Sequence, residues 1–573
     1  MKEVKKQWLH RDIDLTIAKS ISSRFSVPPV ISMLMSLKGL IDNEYVNSFF
    51  YPQLDKLIDP FKMLGMKDAV SHLTRAHLNK DTILIFGDYD VDGISSASFF
   101  YLFLTSIGFK ADVFIPNREI DGYGFCNRGI DYAIEIGSSL IVTVDCGVNS
   151  IDQVSYAKEK GVDVIITDHH KPSYPQPNAV AILNPHQKDC SYPFKNLCGA
   201  GVVFKLATGL AKTIGKGKDE LMEHSDLVSL GIAADLVELK SENRIIVNEG
   251  LKRIQNSSKP GLRHLLRLNG YADGKITVGQ LIFFITPKIN AAGRLSDARV
   301  AFDLLTTKDD YKSKDLAVTL QKMNEDRQGI TEEVIADGIE LVKSKNLNRN
   351  KLIVISNRGW HEGVIGIVAS RIKEIYNKPV IVISIKDGIG KGSCRSIPSY
   401  DIVDALSECS SLLSNYGGHP IAAGLTIDSS KIDEFTRSVI NHARVAIDDS
   451  DLNLILRIDI EIKLDEISNR LIKFLDALEP FGPGNHRPLF LSKGVKVLGV
   501  PKLIGKKSNI VKCTLSSRGS EFDAIGFNMP EYYTLLLSNK PIDIVFNIGK
   551  NKFKGRETIQ LELKDIKINS ADI

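Results

Sequence analysis

The chain has 573 residues, 43% hydrophobic and 25% charged, with a formal net charge of +4. That length exceeds one core and calls for three or four domains, while the composition excludes a disordered or collagen-like chain. Its seven cysteines are scattered, with no Cys-x-x-Cys pair. This excludes a disulfide framework or a zinc ribbon and leads us to expect a reducing, cytoplasmic setting.

The opening residues, Met1-Lys-Glu-Val-Lys-Lys-Gln-Trp8, carry charge where an export signal would carry an apolar run. The stretch Ala97 to Phe109 is too short to span a bilayer, so no membrane role is expected. Residues 1–64 read as a helical cap region. From Asp81 onward, short apolar runs alternate with helix-length segments: Thr82-Ile-Leu-Ile-Phe, Ala111-Asp-Val-Phe-Ile-Pro, Leu140-Ile-Val-Thr-Val, Val162-Asp-Val-Ile-Ile-Thr and Ala179-Val-Ala-Ile-Leu. That rhythm predicts an α/β domain over 65–235 built on a doubly wound parallel sheet.

A helical connector is expected over 236–345. Within 313–345, Leu316, Leu320, Met323, Ile330, Val334 and Leu341 fall near helical spacing with no proline between them, which predicts a long helix bridging two domains. A second α/β domain is expected over 346–448, beginning at Lys351-Leu-Ile-Val-Ile-Ser and repeating the strand signal at Val380-Ile-Val-Ile-Ser. The remainder, 449–573, has alternating strands and tight turns, as in Gly494-Val-Lys-Val-Leu-Gly-Val and Thr558-Ile-Gln-Leu-Glu-Leu, and fits an oligonucleotide-binding type of β-barrel. From Arg487 on there are 15 Lys/Arg against 8 Asp/Glu, and the rest of the chain has 58 against 61. A basic terminal module on a near-neutral body suits a polyanionic partner, although Lys-rich solvated strand faces would give the same count.

The chemistry lies where the strands end. The first runs into Gly87-Asp88-Tyr-Asp90-Val-Asp92-Gly93, the third into Asp145-Cys-Gly147, the fourth into Asp168-His169-His170, and a later apolar segment ends in Asp235. Ligands of open α/β sheets sit at the carboxyl ends of strands, and carboxylates this close repel one another unless a cation neutralises them. Oxygen ligands with imidazole suit Mn²⁺ or Mg²⁺. The Asp88-x-Asp90-x-Asp92-Gly93 spacing also opens an EF-hand loop, but the twelfth position is Phe99 and a strand precedes it. Single aspartates at strand ends are often mere turn or cap residues; four such places, one with a histidine pair, favour a metal site. Two cations roughly 3.5–4 Å apart would suit phosphoester hydrolysis, and without a Gly-x-x-x-x-Gly-Lys-Ser/Thr loop nothing indicates ATP-driven action.

At these residues the sequence resembles the DHH phosphoesterase superfamily, and within it the RecJ family of single-strand-specific exonucleases. The likeness extends to Asn290-Ala-Ala-Gly-Arg294-Leu, to Gly359-Trp-His-Glu-Gly-Val-Ile-Gly-Ile-Val-Ala-Ser-Arg371, to Gly417-Gly-His419-Pro-Ile-Ala-Ala-Gly424 and to the barrel, covering the chain from about residue 65. The resemblance implies a metal shell of Asp88, Asp90, Asp92, Asp145, His169 and Asp235. It implies that His170 faces the scissile phosphate and that Asp168 orients its neighbours. It implies that Arg118, Arg294, Ser393 and Arg395 hold a terminal phosphate, with Gly418 and His419 near the same strand end. The fork of an arginine matches phosphate oxygens, and a glycine backbone can approach one closely. For Arg118 and Arg294 a surface salt bridge is the plain alternative, and Trp360 fits core packing better than base stacking.

The implied activity is 5′-to-3′ removal of mononucleotides from single-stranded DNA with two metal ions, in DNA repair and recombination. A single-strand-binding protein and a helicase would be the implied partners. The alternative is a phosphodiesterase of short oligonucleotides or cyclic dinucleotides on the same core, which would leave the basic barrel unexplained. A non-catalytic DNA-binding relative would have lost acidic ligands that are all present here.

Overall fold

The structure is a computed structural model, describing residues 6–118, 120–272, 274–505, 508–553 and 556–569. Its first sheet has five parallel strands in the spatial order Lys110–Phe114, Thr82–Gly87, Ser138–Val144, Asp163–Thr167, Ala181–Leu183. This is the doubly wound arrangement. Side chains alternate along each strand, so Ile83, Ile85, Val142 and Ile165 enter one core with the helices Met66–Asn79, Val91–Ser106 and Gly199–Ile214. Leu84, Phe86, Ile141 and Ile166 enter a second core with Asn127–Glu135 and Ile151–Glu159. The strand order reverses at Thr82–Gly87 and Ser138–Val144, so the crevice at their carboxyl ends is the natural ligand position.

Between residues 225 and 306 the chain is mostly short helices, and then a single helix of 35 residues runs from Asp310 to Ser344. Asp309 caps it, its carboxylate accepting from the backbone N–H of Tyr311 and Lys312. At 1.5 Å per residue the helix is about 50 Å long. Its first half buries Ala317 and Leu320 in the core of the first domain. Its second half buries Val334 and Val342 against Ile353, Ile365 and Val368 of the next. Trp360 is buried in that second core.

The second α/β domain has a mixed five-stranded sheet in the order Leu413–His419, Ala422–Asp428, Ile389–Arg395, Val380–Lys386, Ile353–Arg358, with the last pair parallel and the others antiparallel. In the tail, strands Phe490–Ile504, Ile510–Ser517, Ser520–Phe527, Arg556–Ile568 and Ile542–Phe553 pair in sequence, and the last returns to the first, closing a five-stranded barrel.

The amino-terminal helices Leu15–Phe25, Pro29–Leu37 and Asn43–Phe50 are seated on this barrel, not on the first sheet. Ile21, Ile31, Leu34, Val46 and Phe49 share a core with Leu471, Phe490 and Phe546. Lys6–His10 also pairs, in parallel, with Leu454–Ile458. Arg244, in the connector helix Ser241–Gln255, ties these parts together. Its buried guanidinium donates to the carbonyls of Phe49, Leu478, Glu479 and Pro480 and lies 3.7 Å over the Phe49 ring. Burial lowers its pKa to about 10, leaving it charged at neutral pH. Asn485 also donates to the Leu478 and Pro480 carbonyls, so we expect Arg244→Met to strip its donor from the Phe49 and Glu479 carbonyls and to destabilise the protein by roughly 3 kcal/mol, read as a lower urea midpoint; an unchanged midpoint would contradict this role.

Candidate metal centre and phosphate site

Every acidic motif reaches the crevice of the first sheet. Asp88 leaves the end of the strand Thr82–Gly87 and is buried. Asp90 caps the helix Val91–Ser106, accepting from Gly93 N–H at 3.0 Å. Asp92, one residue into that helix, is also buried. It accepts from the backbone N–H groups of Gly199 and Ala200 at 2.6 and 3.0 Å, the amino end of the helix Gly199–Ile214. That helix end places partial positive charge against the carboxylate. Asp145 follows the third strand with a left-handed backbone (φ 64°), anchored by its N–H to the Thr167 carbonyl at 2.9 Å.

Glycines permit this crowding. A Cβ on Gly199 would lie 2.4 Å from the Asp145 Cβ, one on Gly231 would lie 2.6 Å from Asp92 Oδ1, and one on Gly93 would lie 2.5 Å from the Asp88 carbonyl. The sequence reading missed Gly199 and Gly231, although Cys198-Gly-Ala-Gly at a helix start lacking a side-chain cap was a usable signal.

His169 sits among these acids, its Nε2 3.1 Å from Asp145 Oδ1 and 4.0 Å from Asp92 Oδ2, its Nδ1 3.7 Å from Asp235 Oδ2. Burial and the neighbouring His170 cation hold its pKa well below the usual histidine value, so the ring is neutral, as a metal ligand must be. Asp168 has a different task. Its carboxylate accepts from the backbone N–H of Val148, His169 and His170 and from His170 Nδ1 at 2.7 Å. Burial works to raise its pKa, but the hydrogen bonds from His170 outweigh this and the carboxyl ends below its ordinary value. Burial likewise disfavours charge on His170, but the Asp168 bond dominates and raises that pKa to about 9. The outer nitrogen of His170 lies 3.1 Å from the Tyr123 hydroxyl. No feature of the sequence had flagged Tyr123.

Burial, reinforced by neighbouring carboxylates, pushes the acids upward: Asp88 and Asp145 well above the usual range, Asp92 to about 6 and Asp235 to about 8. Two buried oxygens, Asp88 Oδ1 and Asp145 Oδ1, have no hydrogen-bond partner. Ligand atoms of Asp88, Asp90 and Asp145 lie within 4.8 Å of one another, as do those of Asp92, His169 and Asp235, and of Asp145, His169 and His170. Crowded carboxylates with orphaned oxygens around a neutral imidazole fit hard divalent cations, and Asp145 adjoins both halves of the cluster.

Beside the acids lies a set of cationic groups. Arg118 stands over the Tyr89 ring at 5.8 Å. Arg294 donates to the Gly363 carbonyl at 3.1 Å, and burial, with Arg118 and Arg327 nearby, lowers its pKa to about 10. No salt bridge to either arginine occurs among the described residues. The close approach of Gly293 to the Tyr89 carbonyl, where a Cβ would lie at 2.4 Å, brings this helix against the acid loop. Across the cleft, Arg395 donates to the hydroxyls of Ser393 and Ser370, each at 3.1 Å. Its guanidinium also lies 3.0 Å from where a Cβ on Gly366 would stand, in the first turn of the helix Ile365–Tyr376. Gly418 has φ 145°, and His419 is exposed at the end of its strand.

A doubly wound domain with this Asp-His cluster, joined by a long helix to a second α/β domain, defines a DHH-type phosphoesterase. The sequence matches the DHH family, N-terminal domain over residues 82–232, the DHHA1 domain over 349–444 and the RecJ OB domain over 458–565. The single-stranded-DNA-specific exonuclease RecJ of Bacillus subtilis is 34% identical over 567 residues, spanning 99% of this chain and 71% of that one. The RecJ of Escherichia coli is 32% identical over 561 residues, spanning 94% and 96%. A crystal structure of Thermus thermophilus RecJ in complex with Mn²⁺ matches with a TM-score of 0.83 at 28% identity, over 99% of this chain and 80% of that one. The chain belongs to the RecJ family.

We expect Gly199→Ala to displace the Asp145 carboxylate and abolish the rise in melting temperature that added Mn²⁺ gives the parent protein, a rise that metal binding to the folded state must produce. An equal rise in the variant would contradict the close packing at this position.

Proposed function

We propose that this protein is a single-stranded-DNA-specific exonuclease acting 5′ to 3′ and releasing 5′-mononucleotides, with a place in DNA repair and recombination. The observation that carries this reading is the pair of metal-capable acid groups adjoining at Asp145, beside Arg118 and Arg294, which make no salt bridge among the described residues. Asp88, Asp90 and Asp145 would hold one Mn²⁺ or Mg²⁺, and Asp92, His169 and Asp235 a second. Ions held by these residues would supply a water of lowered pKa and neutralise charge on the phosphoryl oxygens.

The chain's own groups do the rest. Asp168 fixes the His170 ring through Nδ1 and turns Nε2 outward, where it would exchange the Tyr123 hydroxyl for a phosphate oxygen and donate to it as negative charge builds up. Arg118, Arg294, Ser393 and Arg395 would hold the terminal 5′ phosphate, with Gly418 and His419 beside the same end. Attack of water oxygen on phosphorus with loss of the 3′ oxygen frees a 5′-mononucleotide. It leaves a new 5′ phosphate on the remaining strand, the group this pocket would take next. The oligonucleotide-binding barrel would hold the strand behind the cleft, which a dinucleotide phosphodiesterase would not need. Within the described residues no helix is long and apolar enough to cross a membrane. A cytoplasmic setting, with a single-strand-binding protein and a helicase as partners that present the strand, completes the proposal.

The test is cleavage of 5′-labelled and 3′-labelled single strands and a blunt duplex, with Mn²⁺ or Mg²⁺ and with chelator. Early release of the 5′-labelled mononucleotide from the single strand alone, lost with chelator, is the expected result. Cleavage of dinucleotides without attack on longer strands would overturn it. Asp92→Ala should reduce turnover by at least a thousandfold, on the order of 4 kcal/mol in barrier, while strand binding persists; unchanged turnover would contradict the metal assignment.

A further inference from the structure

Phe283 is 74% exposed, the most exposed phenylalanine among the described residues. It lies in a π-helical turn, Leu281–Ile285, that leads into the helix Thr286–Leu295. Such wide turns commonly mark functional positions, because they swing a side chain out of the regular helical track. The buried side of this segment is accounted for, with Leu281, Ile285, Ile289 and Ala292 in the first-domain core. The other side is a stripe at helical spacing: Phe283, exposed, followed by Pro287, Asn290 and Arg294, each partly buried. Eleven residues separate its ends, about 16 Å along the axis.

Both ends of this segment have known neighbours. At one, the helix reaches the acid loop through the contact of Gly293 with the Tyr89 carbonyl. At the other, Val278 meets the segment that leads into the barrel. A Cβ on Gly482 would lie 3.6 Å from Val278 and 2.6 Å from Leu239, and Arg487 stands 5.4 Å over the neighbouring Phe481 ring. Phe283 therefore lies between the barrel and the acid cluster, on the face that ends at Arg294. Along the sequence, residues 259–295 hold six Lys/Arg and one Asp, of which Lys259 is taken up by Asp226 and Lys288 by Asn269. Behind it the Lys288 ammonium pins the Phe284 carbonyl at 2.7 Å, and the Phe284 ring leans on Tyr271 at 5.5 Å, so the turn that presents Phe283 is braced.

We propose that Phe283 is a stacking platform for an unpaired nucleobase of the strand that runs from the barrel to the acid cluster. This rests on the single-strand reading above and extends it to a subsite some nucleotides from the cut. An exposed aromatic on the face that ends at Arg294 suits nucleobases, because every base offers a π face. A rigid phenyl that receives only unstacked bases also favours single strands over duplex.

The test uses the full-length protein in chelator, where strands bind without being cut, and 5′-phosphorylated oligothymidylates carrying one abasic site moved position by position. Phe283→Ala removes an exposed side chain and leaves the core intact. It should weaken binding of the intact strand about tenfold, and Phe283→Trp should restore it. One abasic position should weaken wild-type binding by a similar factor yet add nothing in the alanine variant, the signature of a direct pair. Equal affinity of wild type and Phe283→Ala, or losses that simply multiply at every abasic position, would overturn the platform while leaving the exonuclease reading in place. A wild-type protein that fails to hold any single strand would overturn both.

Discussion

Asp88, Asp92 and Asp145 are each about 2% exposed, and Asp235 and Asp90 stand close enough for their charges to act on them. Water stabilises a carboxylate far better than protein does, so gathering several into one dry crevice opposes folding unless positive charge meets them. The protein supplies some of that charge through the amino end of the helix Gly199–Ile214, whose N–H groups face Asp92. Asp88 Oδ1 and Asp145 Oδ1 accept no hydrogen bond from it. Divalent cations would meet that need, and much of the surrounding architecture serves to keep the carboxylates in place until they do.

The sheet topology provides the crevice, and the glycines let three segments meet in it. Residues 199 and 231 bring two helices against Asp145 and Asp92, and residue 293 brings the connector against the acid loop. The 35-residue helix then fixes the second domain relative to the first, because one end is buried in each core. The Arg395–Ser393 group belongs to that second domain, which Arg294 meets at the Gly363 carbonyl. Asp168 gives the cluster its division of labour. By binding the His170 ring and not the His169 ring, it keeps one imidazole cationic and leaves the other neutral, from adjacent positions in the chain.

Much of this was legible in the sequence because it depends on local pattern. Apolar runs ending in aspartate identified the strands and the acids at their carboxyl ends. The uninterrupted periodicity of 313–345 gave the long helix, and alternation gave the barrel. What was not legible depends on contacts between distant segments. The helices around Ile31 and Val46 look like an ordinary cap until their partners at Leu471 and Phe546 are known. Arg244 looks like any basic residue on a helix, yet it binds four carbonyls contributed from both ends of the chain. The left-handed backbone at Asp145 and the wide turn that exposes Phe283 leave no compositional trace, since neither needs a glycine or a proline.

The central claim is that the buried carboxylates form a two-cation site. Anomalous scattering at the manganese edge from crystals grown with Mn²⁺ tests it most directly. The account predicts two peaks, one among Asp88, Asp90 and Asp145 and one among Asp92, His169 and Asp235. Peaks elsewhere on the protein, or none in this crevice at saturating Mn²⁺, would contradict it.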